Sequence, residues 1–199
     1  MRQVGVVLLI LMLVLGCSRT GPQAVVSAFA DPRGDAAFPN ATTQDWVTYG
    51  DHLVTAGVKS TADKGWVELI PESVLWSRIS AQPAPAAVRA WSDGDRASAE
   101  GVDLLEGHVY LVLLTRRHPA GEPAGWSPID VMGFDDEVVG RGTQQCWPAG
   151  SRPAREELWS LDASGVRQVM TTAQPDPLAA RYADLDPGER YQRIAAERG

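Results

Sequence analysis

Cysteine is scarce in this chain of 199 residues: Cys17 and Cys146 are the only two, which excludes a disulfide framework. Lysine is equally sparse. Lys59 and Lys64 stand alone, so arginine supplies sixteen of the 18 basic side chains, a bias that with abundant alanine, glycine and proline reflects a GC-rich genome. The net charge of −7 comes without any basic stripe, so nucleic acid is excluded as an expected partner. No His-x-His, His-x-x-x-His or Cys-x-x-Cys spacing joins His52, His108 and His118 into a zinc pattern. Gly-x-Ser-x-Gly is missing, and Gly140-Arg141-Gly142 lacks the second half of a phosphate-loop fingerprint. No internal repeat or long polar tract interrupts the chain. No metal, cofactor or catalytic residue is therefore assigned.

What is present begins at the N-terminus. Arg2 is followed by Val4–Leu15, apolar throughout except for Gly5, and small Gly16 precedes Cys17. That is the layout of a secretory signal, with a positive n-region, an apolar h-region and a small residue at the cut. As a helix, Val4–Gly16 would span about 20 Å, short of the roughly 30 Å hydrocarbon core. The run Val14-Leu15-Gly16-Cys17 resembles the lipobox of bacterial lipoproteins. The resemblance implies diacylglycerol on the Cys17 thiol, cleavage before it, and attachment to the extracytoplasmic face of the cell membrane. The alternative is a plain signal peptide or short anchor helix with an incidental cysteine. A diacyl modification anchors stably by itself, since each buried methylene contributes about 0.8 kcal/mol. Cys146, beside Trp147, is then the one remaining thiol and is expected to be buried.

Residues 1–16 are thus read as signal peptide and 17–45 as lipidated cysteine plus flexible tether. Pro22, Pro32 and Pro39 break any periodicity there. A flexible stretch of such length reaches about 30 Å. Residues 46–175 are read as a β-barrel domain and 176–199 as a C-terminal helical segment. Strands are expected near 52–59, 66–77, 87–91, 108–116 and 127–134. Pro71 predicts a bulge or an edge. Val109–Leu114 is apolar on both faces, so its strand is expected to be central. A last hairpin from 158–161 to 166–170 competes with a short helix over part of 152–170. Pro187 opens the final helix after Asp186, and Tyr191, Ile194 and Ala195 share a face.

Five strands in so short a span, without helix-length segments between them, predict a mainly β fold: a small OB-like antiparallel β-barrel. The wording Asp51-His-Leu-Val-Thr-Ala-Gly-Val58, Val74-Leu-Trp-Ser-Arg78 and Leu104-Leu-Glu-Gly-His-Val-Tyr-Leu-Val-Leu-Leu114 resembles exported actinobacterial proteins of unknown function. The same order is similar to the OB-like barrel of the netrin and metalloproteinase-inhibitor (TIMP-like) group. Inhibitors of that group use a free N-terminal cysteine, whereas Cys17 would be acylated and lies 34 residues before Asp51. Only the barrel carries over.

Two motifs remain as candidates. Asp93-Gly94-Asp95 and Asp135-Asp136-Glu137 cluster oxygen ligands, though a solvated turn explains the second equally well. Of seven tryptophans, Trp126 lies between Gly125 and Ser127-Pro128 and is expected to be exposed at a barrel mouth. There it would stack on a sugar ring or anchor a peptide. The function expected is a lipid-anchored binding or interaction module facing an envelope protein or glycan, without catalysis. A cell-envelope enzyme with a site assembled from distant residues, and a TIMP-like inhibitor, are the alternatives.

Overall fold

The computed structural model describes residues 41–61, 66–79, 81–91, 104–117, 125–140, 153–185 and 187–198. Cys17, Cys146, His118, Asp186, the Asp93–Asp95 motif and the expected signal and tether up to residue 40 lie outside them. The described chain runs α1 (Thr43–Tyr49), β1 (His52–Ser60), β2 (Trp66–Ser77), β3 (Val88–Trp91), β4 (Val109–Arg117) and β5 (Gly125–Gly133). After a 3₁₀ turn at Asp135–Glu137 come α2 (Pro153–Leu158), α3 (Ala163–Thr172), a second 3₁₀ turn at Ala179–Tyr182, and α4 (Pro187–Arg198).

All strand pairs are antiparallel and the order is β3-β2-β1-β4-β5. β3 and β5 approach each other across the remaining gap, so the sheet curls into a nearly closed, OB-like barrel. The fold is mainly β, as the strand count predicts.

Alternation along the central strands creates two cores. Val54, Ala56 and Val58 of β1 join Tyr110, Val112 and Leu114 of β4 inside the barrel, with Val67, Leu69, Val88, Ala90 and Val131. Leu53, Leu111 and Leu113 point the other way, under Trp46, Val47, Leu158, Val166 and Met170 of the helices. β4 is apolar on both faces because both are covered. Leu53, Leu69, Leu111, Leu113 and Leu114 are at most 1% exposed. Burying each contributes about 1.5–3 kcal/mol, well above the about 0–1 kcal/mol of a surface ion pair. Side-chain burial therefore outweighs surface charge in holding the barrel.

Bulges set the geometry of the face beneath the helices. Opposite β1 the register of β2 jumps between Leu53/Val54 and between Thr55/Ala56, leaving Leu75 and Glu72 as extra residues beside Pro71. In β5 the jump opposite Leu113/Leu114 makes Ile129 the extra residue. An added residue reverses which side chains face in. Asp130 thereby faces the helix layer, where Arg155 of α2 meets it.

Two expectations are corrected. The segment 158–170 forms helices rather than a hairpin: Asp162 caps α3 by accepting from Gly165 N at 2.8 Å, and Val166 and Met170, one helical turn apart, are both fully buried. That spacing follows a helical period, which alternation alone had obscured. The chain also enters the core before residue 46. Ala41 is buried, and Thr42 and Asp45 form a reciprocal capping box that opens α1.

The C-terminal segment is helical and docks on α1. Tyr49, Ala179 and Ile194 form a third cluster, with Tyr191 edge-on to Tyr49 at 6.0 Å. Arg190, rather than the exposed Ala195, completes the buried face of α4. Its guanidinium donates to the carbonyls of Thr48 (2.7 Å), Tyr182 (3.2 Å), Ala183 (3.1 Å) and Leu185 (3.1 Å). These carbonyls end α1 and the second 3₁₀ turn, where orphan acceptors collect.

Candidate functional site

The helix layer does not cover the whole outer face of the sheet. Between the Gly57 end of β1, the bulged part of β2, the Asp135–Glu137 turn and the start of α3 lies an open cleft of about 520 Å³. Its apolar floor is Leu75, Val109 and Phe134. Its polar groups are Thr55, Ser73, four carboxylates (Glu72, Asp135, Asp136 and Glu137) and the guanidinium of Arg167. The volume falls in the roughly 300–1,000 Å³ range of small-ligand pockets.

Each wall has a local cause. Glu72 is the extra residue of a β2 bulge, so its side chain leaves the regular pleat. A Cβ on Gly57 would lie 2.8 Å from Glu72 Oε1, so the missing side chain there makes room for the carboxylate. Asp136 (φ 53°) and Glu137 (φ 58°) are consecutive left-handed residues, a conformation that costs non-glycine residues of order 1–3 kcal/mol and that clusters at functional loops. Asp135 holds the turn: Oδ1 accepts Val109 N at 2.8 Å and Oδ2 pairs with His108 Nδ1. Glu72, Glu137 and Arg167 have no ion-pair or hydrogen-bond partner among the described residues.

Of the residues singled out in the sequence, Asp135-Asp136-Glu137 line this cleft. Among the described residues no group of three or more metal-ligating side chains is gathered, and the turn supplies carboxylate walls. His52 and His108 begin neighbouring strands, but those strands are antiparallel. His52 pairs with Leu114 while Gly57 pairs with Val109, so the two imidazoles lie at opposite ends. His52 is buried; its Nδ1 meets Ser77 Oγ at 2.8 Å and its Nε2 the Gln82 carbonyl at 2.6 Å. The carbonyl can only accept, so Nε2 carries a proton.

Trp126, expected to be exposed, is half-buried. It packs against the barrel core and lies 5.1 Å from the His52 ring, tilted by 39°. Part of its ring surface is already occupied by protein. Nearby, Asp51 accepts from Arg78 Nε (2.9 Å) and Nη2 (2.6 Å) through Oδ1, and from Arg116 N (2.8 Å) through Oδ2, which fixes that end of β1.

Thr55, Glu72 and Arg167 are contributions that the sequence reading missed. The signals were faint: Thr55 and Gly57 interrupt an otherwise leucine-lined face, and Pro71 marks the bulge that releases Glu72. No helix among the described residues is long and apolar enough to cross a membrane. No protein-family model, curated protein or solved structure matches the chain.

Proposed function

We propose that the protein is a lipid-anchored, extracytoplasmic binding module that acts without catalysis, attached through Cys17 and holding a partner in the cleft beside Asp135–Glu137. The observation that carries the reading is the cleft itself: an open, partly apolar cavity walled by four carboxylates, of which Glu72 and Glu137 have no ion-pair or hydrogen-bond partner among the described residues. Function in such folds rests on the site and not the barrel. Trp126, beside His52 at the opposite end of β1, stands apart from this cleft. The anchor rests on the resemblance of Val14–Cys17 to a lipobox.

One observation favours the enzyme alternative. His108 Nδ1 is held by Asp135 at the cleft edge, and among the described residues its Nε2 has no partner. An oriented imidazole of this kind can act as a general base. Nucleophilic catalysis also needs a hydroxyl within reach of that base. Neither Thr55 nor Ser73 makes a hydrogen bond to His108.

Photo-crosslinking in intact cells tests the binding reading. A photoreactive side chain at Asp136 should trap one defined partner, whereas one at Ile79, 90% exposed beyond the opposite end of β1, should not. Equal yields from both positions would remove the cleft from the account. Turnover of cell-wall material that disappears in His108→Ala would replace the binding module with the enzyme.

A further inference from the structure

The floor of the cleft contains a hydroxyl that the fold itself does not use. Thr55 is 6% exposed and sits on the face of β1 that also carries Leu53, opposite Leu111. Its Oγ1 has no hydrogen-bond partner among the described residues, yet it is not among the atoms sealed from solvent. That oxygen is therefore reachable from the cleft, where solvent or a ligand can supply its hydrogen bond. Directly along the strand, Gly57 leaves space for the Glu72 carboxylate. The solvent-reachable hydroxyl of this mostly buried threonine, and the Glu72 and Glu137 carboxylates, which have no ion-pair or hydrogen-bond partner among the described residues, thus open into one cavity with Leu75, Val109 and Phe134.

We infer that the cleft takes a basic, partly apolar peptide segment of a partner protein: a Lys or Arg head group donates to Glu72, Glu137 and the Thr55 hydroxyl while its stem lies on Leu75, Val109 and Phe134. This rests on the binding-module reading and names its ligand. Long basic side chains suit the site because they pack an aliphatic stem and place charge at the tip. The overall charge of −7 draws such a segment toward the protein. Among the described residues Arg167 is the one cation lining the cleft, and its charge opposes the same ligand. That opposition gives the test a sign.

The full-length lipidated protein, in micelles of a neutral detergent, is titrated with a fluorescently labelled peptide of alternating leucine and arginine, and anisotropy is read. Binding should saturate and weaken as salt rises. Glu72→Gln should weaken it about tenfold, as for loss of a charged hydrogen bond, and Thr55→Val about threefold. Arg167→Gln should tighten it about two- to fivefold, the range of an exposed charge interaction. Glu72 and Arg167 are exposed, so these variants should keep the thermal midpoint of the native protein and remain readable even if Thr55→Val does not fold. Gly57→Ala, which displaces the end of the Glu72 side chain, should weaken binding in the same direction.

Weaker binding in Arg167→Gln, or no change in Glu72→Gln, would overturn the inference. Spermidine competing as well as the peptide would overturn the peptide as ligand, because the apolar floor would then contribute nothing. Absence of peptide binding alongside a partner trapped at position 136 would sink the basic ligand and leave the binding module standing. Absence of both would sink the module too.

Discussion

Arg155 and Asp130 form an ion pair that is almost entirely out of water, with Arg155 Nε 2.9 Å from Asp130 Oδ1 and side-chain exposures of 3% and 0%. The same Oδ1 accepts Val131 N at 2.8 Å, so the pair ties α2 to the bulged part of β5. Removing one member strands the other in a site built for two charges. Asp130→Ala should destabilise the fold by about 3–5 kcal/mol, whereas a double change to Asp130→Leu with Arg155→Met should cost far less. Denaturant melts of the two variants check this. Equal losses would show that the pair is stabilising in its own right.

Packing just after the Asp135–Glu137 turn can be tested at Gly140. Gly140 has φ +89°, and a Cβ there would lie 2.5 Å from the Trp159 ring. Gly140→Ala therefore meets a disfavoured backbone region and forces the partly exposed Trp159 ring to move. The expected cost is about 2 kcal/mol or more. A thermal midpoint unchanged from the native protein would contradict the close contact.

The C-terminal segment should respond to pH at both ends of the scale. Glu197 accepts from the Tyr182 hydroxyl and the Arg181 guanidinium, and these hold its carboxyl below the usual 4.5. The stabilisation this gives is complete above the ordinary carboxyl range and is lost as pH falls through the lowered pKa. Glu197 pushes the Tyr182 phenol above its usual 10.0. That contribution is complete below 10.0 and disappears as pH rises through the raised value. Protection factors of the α4 amides, corrected for the intrinsic pH dependence of exchange, should therefore fall in acid and again in strong alkali, and Glu197→Gln should flatten both responses. The groups are exposed, so salt should damp the effect.

Trp126 supplies a further test. Because it packs on the barrel core and on His52, Trp126→Ala should lower stability by about 2 kcal/mol, below the 3–5 kcal/mol of a fully buried aromatic. It should leave peptide affinity at the cleft unchanged. A variant of native stability with lost affinity would move the binding site to the other end of β1.

The barrel was legible because its strands advertise themselves. Val54, Ala56 and Val58 alternate, Val109–Leu114 is apolar on both faces, and no helix-length segment intervenes. The α3 segment was harder. Leu158–Leu161 and Val166–Met170 are short apolar runs around a turn-like Asp162-Ala163-Ser164-Gly165, and only the Asp162 cap decides for helix. α1 was missed because Thr42-Thr43-Gln44-Asp45 reads as polar linker until its reciprocal caps are seen. Within the site, Asp135-Asp136-Glu137 were visible as a cluster. Thr55 and Glu72 were not, because their roles depend on bulges that a strand's sequence does not announce.

The most direct measurement of the central claim is the intact mass of the native protein recovered from cell membranes. The expected product is a chain that begins at Cys17 and carries diacylglycerol, with a Cys17→Ala variant released from the membrane or left unprocessed. A chain beginning at unmodified Met1 and recovered with cytosolic proteins would contradict it.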